Sequence, residues 1–256
     1  MSDCCMVLQV ELIQLGILAS LIVGLATGIG AVPVLFFKQV SHKVTDSALG
    51  FAGGVMIAAS VFSLLIPAID AGGAFVAVIG FVFGSVFVYI LDKYVPHTHI
   101  LKGIEGPRST LSTVSLMILA VTIHNFPEGL AVGVGFGSGD LTLATTIAVA
   151  IALQNIPEGM AIAFPLMGVG LRKARASFYA LLTGLAEPVG GIIGVLTITF
   201  MSQALPLALA FAAGAMVYVV SDEMIPESHR RGHELEATFG FLIGFVVMMI
   251  LDTIFL

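Results

Sequence analysis

The sequence predicts an all-α, polytopic membrane protein with eight transmembrane helices of inverted-repeat character and both termini extracytoplasmic. Three observations carry that prediction. Of 256 residues, 58% are hydrophobic and only 10% are Asp, Glu, Lys or Arg, at a mean hydropathy of +1.10, whereas an ordinary soluble domain carries about 25% charge. The 29 Gly and the absence of Trp suit packed membrane helices, in which small residues let backbones approach closely. The few basic residues, finally, are confined to alternate connections.

The elements follow in order. A membrane helix needs roughly 20 apolar residues, and apolar stretches bounded by charge or turn residues fall at 12–37, 48–69, 74–91, 112–136, 141–166, 176–201, 205–228 and 236–256, one transmembrane domain over 1–256. The segment MSDCCMVLQVELIQ has no basic n-region and its apolar run continues to Phe37, so it reads as a retained first span and not a cleaved signal peptide. Cys4 and Cys5 fit neither a disulfide framework nor a zinc-ribbon spacing. Lys38, Lys43, Lys93, Lys102, Arg108, Arg172, Lys173, Arg175, Arg230 and Arg231 all lie in or beside odd-numbered connections. By the positive-inside rule those connections are cytoplasmic, which puts both termini outside. The longest connection, 92–111, holds His97 and His99 and reads as a flexible cytoplasmic loop. The net charge of -6 and pI near 5.4 argue against a nucleic-acid partner, which calls for clustered basic residues. The partners this leaves are the lipid bilayer and cations, and a homodimer is compatible with the reading.

One internal repeat stands out. His124-Asn125-Phe126-Pro127-Glu128-Gly129 in the fourth span is echoed 30 residues later by Gln154-Asn155-Ile156-Pro157-Glu158-Gly159 in the fifth. The two spans run in opposite directions, so the copies are related by a pseudo-two-fold axis in the membrane plane, a pointer to a transport site near the midplane. His124 and Glu128 share a helix face at i, i+4 spacing, as do Gln154 and Glu158. Pro127 and Pro157 each free a carbonyl one turn back and are expected to kink their helices. Glu187 repeats the carboxylate-plus-proline construction at the middle of the sixth span.

Three intramembrane acids cost roughly 8 to 10 kcal/mol if uncompensated. No Lys or Arg is expected in any span core, so protons or bound cations must supply the positive charge. A divalent cation held by carboxylate oxygen, imidazole nitrogen and amide oxygen meets the deficit directly and also accounts for His124. The competing structural reading is a set of kinked helices with neutral Glu residues bonded to freed carbonyls. Met56 either offers a thioether to a borderline-soft ion or simply packs.

HNFPEG followed by QNIPEG, then GLAEPVGG and DEMIPESHR, resembles the Zrt/Irt-like (ZIP) family of divalent-metal transporters, in particular its GufA-like prokaryotic branch. The resemblance spans essentially all eight stretches. It implies a multi-pass protein of the plasma (inner) membrane that takes metal into the cytoplasm, Zn2+ first and Fe2+, Mn2+ or Cd2+ besides, with no catalytic cofactor. Met56, His124, Glu128, Gln154 and Glu158 match the family's principal ligands, and Asn125, Asn155 and Glu187 an adjoining second metal position. Many relatives have His at the place of Gln154 and some have Asp at that of Asn155, so this site is poorer in nitrogen and in charge. Two divalent ions bring +4 against three carboxylates at -3, which makes double occupancy less assured here. The resemblance makes Asp70 an entrance ligand, with an interfacial cap as the plain alternative. It also places exit-side binding at Asp222, Glu223, Glu227 and His229, joined by His97 and His99 unless these are solvated loop residues.

Two other functions fit parts of the pattern. An intramembrane zinc metallohydrolase would use His and Glu to activate water, but its usual signature sets two His one turn apart, and here His124 is the one centrally placed His. A metal sensor would bind without vesicle accumulation.

Overall fold

The computed structural model describes residues 3–37, 40–99, 103–107 and 109–255. Lys38, Lys102 and Arg108 lie outside the described residues, as do the side chains of Cys4, Cys5 and His99. The described chain is almost wholly helical: α1 (Asp3–Gly30), α2 (Pro33–Phe36), α3 (His42–Ala59), α4 (Ile66–Tyr94), α5 (Thr113–Gly137), α6 (Leu141–Gly168), α7 (Lys173–Gly184), α8 (Ala186–Phe200), α9 (Leu205–Val219), α10 (Ile225–Ser228) and α11 (Glu234–Phe255).

Local chemistry explains the starts. Ser41 caps α3 by accepting from the Val44 N–H at 3.3 Å, Ser112 caps α5 by accepting from Ser115 N–H at 3.2 Å, and Asp140 caps α6 by accepting from Thr142 and Leu143 N–H at 2.9 and 3.1 Å. Two π-helical turns, Ser60–Leu65 and Val220–Met224, connect α3 to α4 and α9 to α10. Each lies just before an Ile-Pro pair, Ile66-Pro67 or Ile225-Pro226. The proline cannot donate to the carbonyl four residues back, and a widened turn absorbs the lost bond.

Seven long apolar helical stretches are present among the described residues: Val7–Phe36, His42–Tyr94, Thr113–Gly137, Leu141–Gly168, Lys173–Phe200, Ser202–Ser228 and Glu234–Ile254. The second is 53 residues long, about 80 Å if straight, against a hydrocarbon core of about 30 Å. It is not straight, because Gly73 breaks it at φ 77, ψ 161, a conformation that a side chain would strain. The outward faces are apolar, with Phe75, Phe83 and Phe200 each more than 60% exposed, as lipid-facing surfaces require and a soluble surface does not tolerate in bulk.

Packing divides the helices into two groups. In one, α3 lies against α11 and α4 against α9; in the other, α1 packs on α5, α6, α7 and α8, and α5 on α8. Within the first group Gly84 faces the Phe211 carbonyl and Gly214 the Phe81 carbonyl so closely that neither position has room for a Cβ. Between the groups, α5 meets α9, and α3 meets α6, the latter through side chains such as Val55, Ala58 and Ala150 in one buried cluster.

The described residues of the connection 92–111 include a short hairpin. Strands β1 (His97–His99) and β2 (Gly103–Glu105) form an antiparallel pair with His97 opposite Glu105, and β1 packs on α5. The solvated reading of His97 is corrected with it. The ring is fully buried, with Nδ1 2.8 Å from the Val95 carbonyl, because the hairpin folds back onto the bundle.

Candidate functional site

Glu128, Glu158 and Glu187 are 1%, 9% and 0% exposed and come from α5, α6 and α8. α5 and α6 run through Pro127 and Pro157 as single helices. The expected sixth span is divided at Leu185 into α7 and α8, so Glu187 lies in the first turn of α8, where the unsatisfied N–H groups of a helix start favour a carboxylate. Gly129, next to Glu128, faces the Glu187 carbonyl with no space for a side chain. That close approach brings the two acids' helices together.

Two amides tie the acids. Gln154 Nε2 donates to Glu128 Oε1 at 2.7 Å, and Asn155 Nδ2 donates to Glu187 Oε1 at 2.7 Å and to the Val23 carbonyl of α1 at 3.0 Å. Among the described residues, Glu128 Oε2, Gln154 Oε1, Asn155 Oδ1, Glu187 Oε2 and both amide atoms of Asn125 are buried without a hydrogen-bond partner. Buried polar atoms are normally satisfied. A cluster of open oxygen acceptors on three helices is what a hard or borderline cation needs.

His124 leads away from this centre. Its Nε2 lies 2.7 Å from Glu223 Oε1, in the π-helical turn after α9. Asp92 completes a triad in which one ligand atom each of Asp92, His124 and Glu223 lie within 4.8 Å of one another. Asp92 was not foreseen as a site residue. The third span is expected to end at 91, but α4 continues to Tyr94 and buries Asp92 at 8% exposure. The one available signal was that Asp92 continues the apolar run of α4 in helical register.

An open-mouthed cavity is lined by His124, Glu128, Glu158, Glu223, Glu227 and Arg231 among others. It joins the central acids to the end of the bundle that carries Arg230 and Arg231. Thr98 of the hairpin also lines it.

The remaining expected residues divide. Glu223 and Glu227 face the cavity, Asp222 is half-buried in the same π-helical turn, and Asp70 is exposed on α4 three residues before the Gly73 break. Met56 is 1% exposed within the bundle's main apolar cluster. His229 is engaged elsewhere, with Nδ1 2.9 Å from the Ile225 carbonyl and Nε2 3.1 Å from Thr238 Oγ1.

Arg231 forms a second unforeseen feature at the mouth. Nη1 donates to Asp46 Oδ1 and Nη2 to Glu227 Oε1, each at 3.0 Å, and the Asp46 side chain is fully buried. Arg231→Ala leaves a buried carboxylate without its cation, a loss of about 3 kcal/mol. Thermal denaturation in detergent is expected to give a clearly lower midpoint for Arg231→Ala and partial recovery when Asp46→Asn is added. An unchanged midpoint would show that the pair contributes nothing.

Comparisons with known proteins identify the family. The family described as ZIP Zinc transporter matches residues 102–252. The chain is 45% identical to zinc transporter GufA of Myxococcus xanthus over 93% of its own length and 97% of that protein's. It is 43% identical to zinc transporter ZIPB of Bordetella bronchiseptica, covering 89% of this chain and 77% of the relative. Zinc transporter ZIP11 of Homo sapiens is 35% identical over 88% of this chain and 93% of the human protein.

Proposed function

We propose that this chain, which belongs to the ZIP zinc transporter family, carries zinc across a membrane into the cytoplasm through the buried Glu128, Glu158 and Glu187 centre. Members of the family are transporters and not enzymes, so the hydrolase reading falls away. The observation that carries the proposal is the burial of three carboxylates beside several open amide oxygens, with two of the acids, Glu128 and Glu158, lining a cavity.

In this reading His124, Glu128, Gln154, Glu158 and Met56 hold the ion, and Asn125, Asn155 and Glu187 stand beside it. The negative centre attracts any divalent ion. A nitrogen from His124 favours Zn2+, with Fe2+, Mn2+ and Cd2+ as further cargo, over Mg2+ and Ca2+, which prefer oxygen alone. Asp92, His124 and Glu223 then receive the ion on its way to the mouth, because His124 lines the same cavity as Glu128 and Glu158 while bonding to Glu223. Asp70 is the entrance residue at the opposite end.

The topology in this reading is eight crossings, with the Gly73 break dividing His42–Tyr94 into two. Both termini lie outside the cytoplasm, and the mouth beside Arg230 and Arg231 opens inward by the positive-inside rule. The membrane is the plasma membrane. The two helix groups, each locked internally by close backbone contacts, rock against one another to expose the centre to either side.

Purified protein in liposomes is expected to accumulate zinc down its gradient, with Cd2+, Fe2+ and Mn2+ competing and a large excess of Mg2+ or Ca2+ not competing. Stoichiometric binding with no accumulation would replace the transporter by a metal sensor.

A further inference from the structure

We infer that Arg231 promotes release of the leaving ion by keeping Glu227 occupied, so that the carboxylates at the inner mouth cannot close on zinc. The inference rests on the transport reading above. The Arg231 guanidinium bridges two acids: Nη1 donates to Asp46 Oδ1 on α3 and Nη2 to Glu227 Oε1 on α10, each at 3.0 Å. The bridge is sheltered from water. The Arg231 and Glu227 side chains are 15% and 18% exposed and that of Asp46 is fully buried. Asp46 Oδ2 is buried too, without a hydrogen-bond partner among the described residues, so Asp46 depends on this one cation among the described ion pairs.

Position makes the bridge matter for transport. Glu227 and Arg231 line the same cavity as His124 and Glu223, and Glu227 follows Glu223 by one helical turn toward the end that carries Arg230 and Arg231. An ion leaving Glu223 for the mouth therefore passes Glu227. Asp46 and Glu227 alone would carry -2, a charge that a divalent ion neutralises in full, and such a pair would trap the ion it should release. With Arg231 between them the trio carries -1, and the oxygens nearest the guanidinium are committed. To take Glu227, zinc would have to push Arg231 away and leave Asp46 buried without its cation, which is strongly destabilising. Arginine suits the task, because its planar fork reaches two carboxylates from separate nitrogens and it does not lose its proton.

Arg230 is the internal contrast. It lines the same cavity and is exposed, and it forms no ion pair among the described residues, so it adds positive charge to the mouth without occupying an acid. Arg231 is a positioning residue, acting on the leaving ion through Glu227.

The test joins initial rates of zinc uptake into liposomes with zinc equilibrium dialysis of the full chain in lipid nanodiscs. Arg231→Gln is expected to bind one more zinc than the wild type and to lower both kcat and KM for uptake about tenfold, the usual worth of a group beside a metal. A merely structural loss would lower kcat with no added zinc and no fall in KM. Adding Glu227→Gln to Arg231→Gln is expected to return the zinc count and KM to the wild-type values, and Arg230→Gln to change neither. No added zinc in a folded Arg231→Gln, an equal gain in Arg230→Gln, or no reversal in the double variant overturns the inference. If Arg231→Gln fails to fold, Glu227→Gln decides the matter. Its carboxylate being already committed, that variant is expected to keep the zinc count and KM of the wild type, and loss of a zinc there makes Glu227 a metal ligand and overturns the inference. Wild-type liposomes that accumulate no zinc overturn the transport reading itself, while the dialysis counts still judge the role of Arg231.

Discussion

Glu128→Ala and His124→Ala are each expected to reduce zinc uptake by reconstituted vesicles about a hundredfold or more. Glu128 is 1% exposed and lines the inner end of the cavity together with Glu158 and His124. Removing one partner of a buried charge interaction typically costs about 3 kcal/mol or more, and every 1.4 kcal/mol is tenfold in affinity. Glu128→Ala also strips Gln154 Nε2 of its acceptor at 2.7 Å, so Glu128→Gln is the companion that keeps the shape while removing the charge. His124→Ala removes the centre's imidazole nitrogen and the partner 2.7 Å from Glu223. Those two losses fall on selectivity and on release. His229→Ala is the contrast, expected to transport within about twofold of wild type, because its ring is bonded to Ile225 and Thr238 and not to the cavity. Uptake measured with a fluorescent zinc indicator inside the vesicles reads all four variants. Undiminished flux in both Glu128→Ala and His124→Ala would sink the site assignment.

The centre was legible because its chemistry is written locally. The repeated N-x-P-E-G segments set carboxylate, amide and proline at fixed offsets on one helix, and helical periodicity alone turns His124 and Glu128 to one face. The surroundings were not legible, because they depend on pairs that sequence does not connect. Asp46 is 185 residues from Arg231 and precedes the apolar run expected to begin at 48, so it falls outside every expected span. α3 in fact starts at His42 and buries it. Asp92 was lost for the mirror-image reason, in a last helical turn beyond the apolar run, where a carboxylate oxygen lies 3.9 Å from Nε2 of the hairpin's His97. His97 looked solvated because His and Thr in a charged connection usually are, and only the packing of β1 on α5 encloses it. In each case the deciding interaction buried a polar group against a distant partner, which hydropathy patterns do not encode.

Gly53 and Gly54 take that distinction to its limit, since they are chemically identical neighbours with opposite expected outcomes. A Cβ on Gly54 would meet the Phe241 carbonyl oxygen in outright overlap and lie 2.8 Å from the Phe245 backbone nitrogen. Both atoms belong to the rigid backbone of α11, so α3 and α11 would have to separate. On Gly53 the nearest atom would be Val220 Cγ1 at 3.5 Å, an ordinary van der Waals distance. Overpacking of this kind costs typically about 1–3 kcal/mol and more when backbone blocks relief, whereas Ala in place of Gly in a helix interior gains up to about 1 kcal/mol. Gly54→Ala is therefore expected to lower the thermal midpoint of the detergent-purified protein and its monodisperse fraction on gel filtration. Gly53→Ala is expected to leave both unchanged or slightly raised. The effect of Gly54→Ala extends to function, because α3 carries Met56 just two residues on, and a displaced α3 changes both the apolar cluster around that side chain and the face it offers to α6. If the two substitutions shift the midpoint in the same direction, close backbone contact is not what holds α3 to α11, and the locked helix group on which the rocking motion depends loses its physical basis.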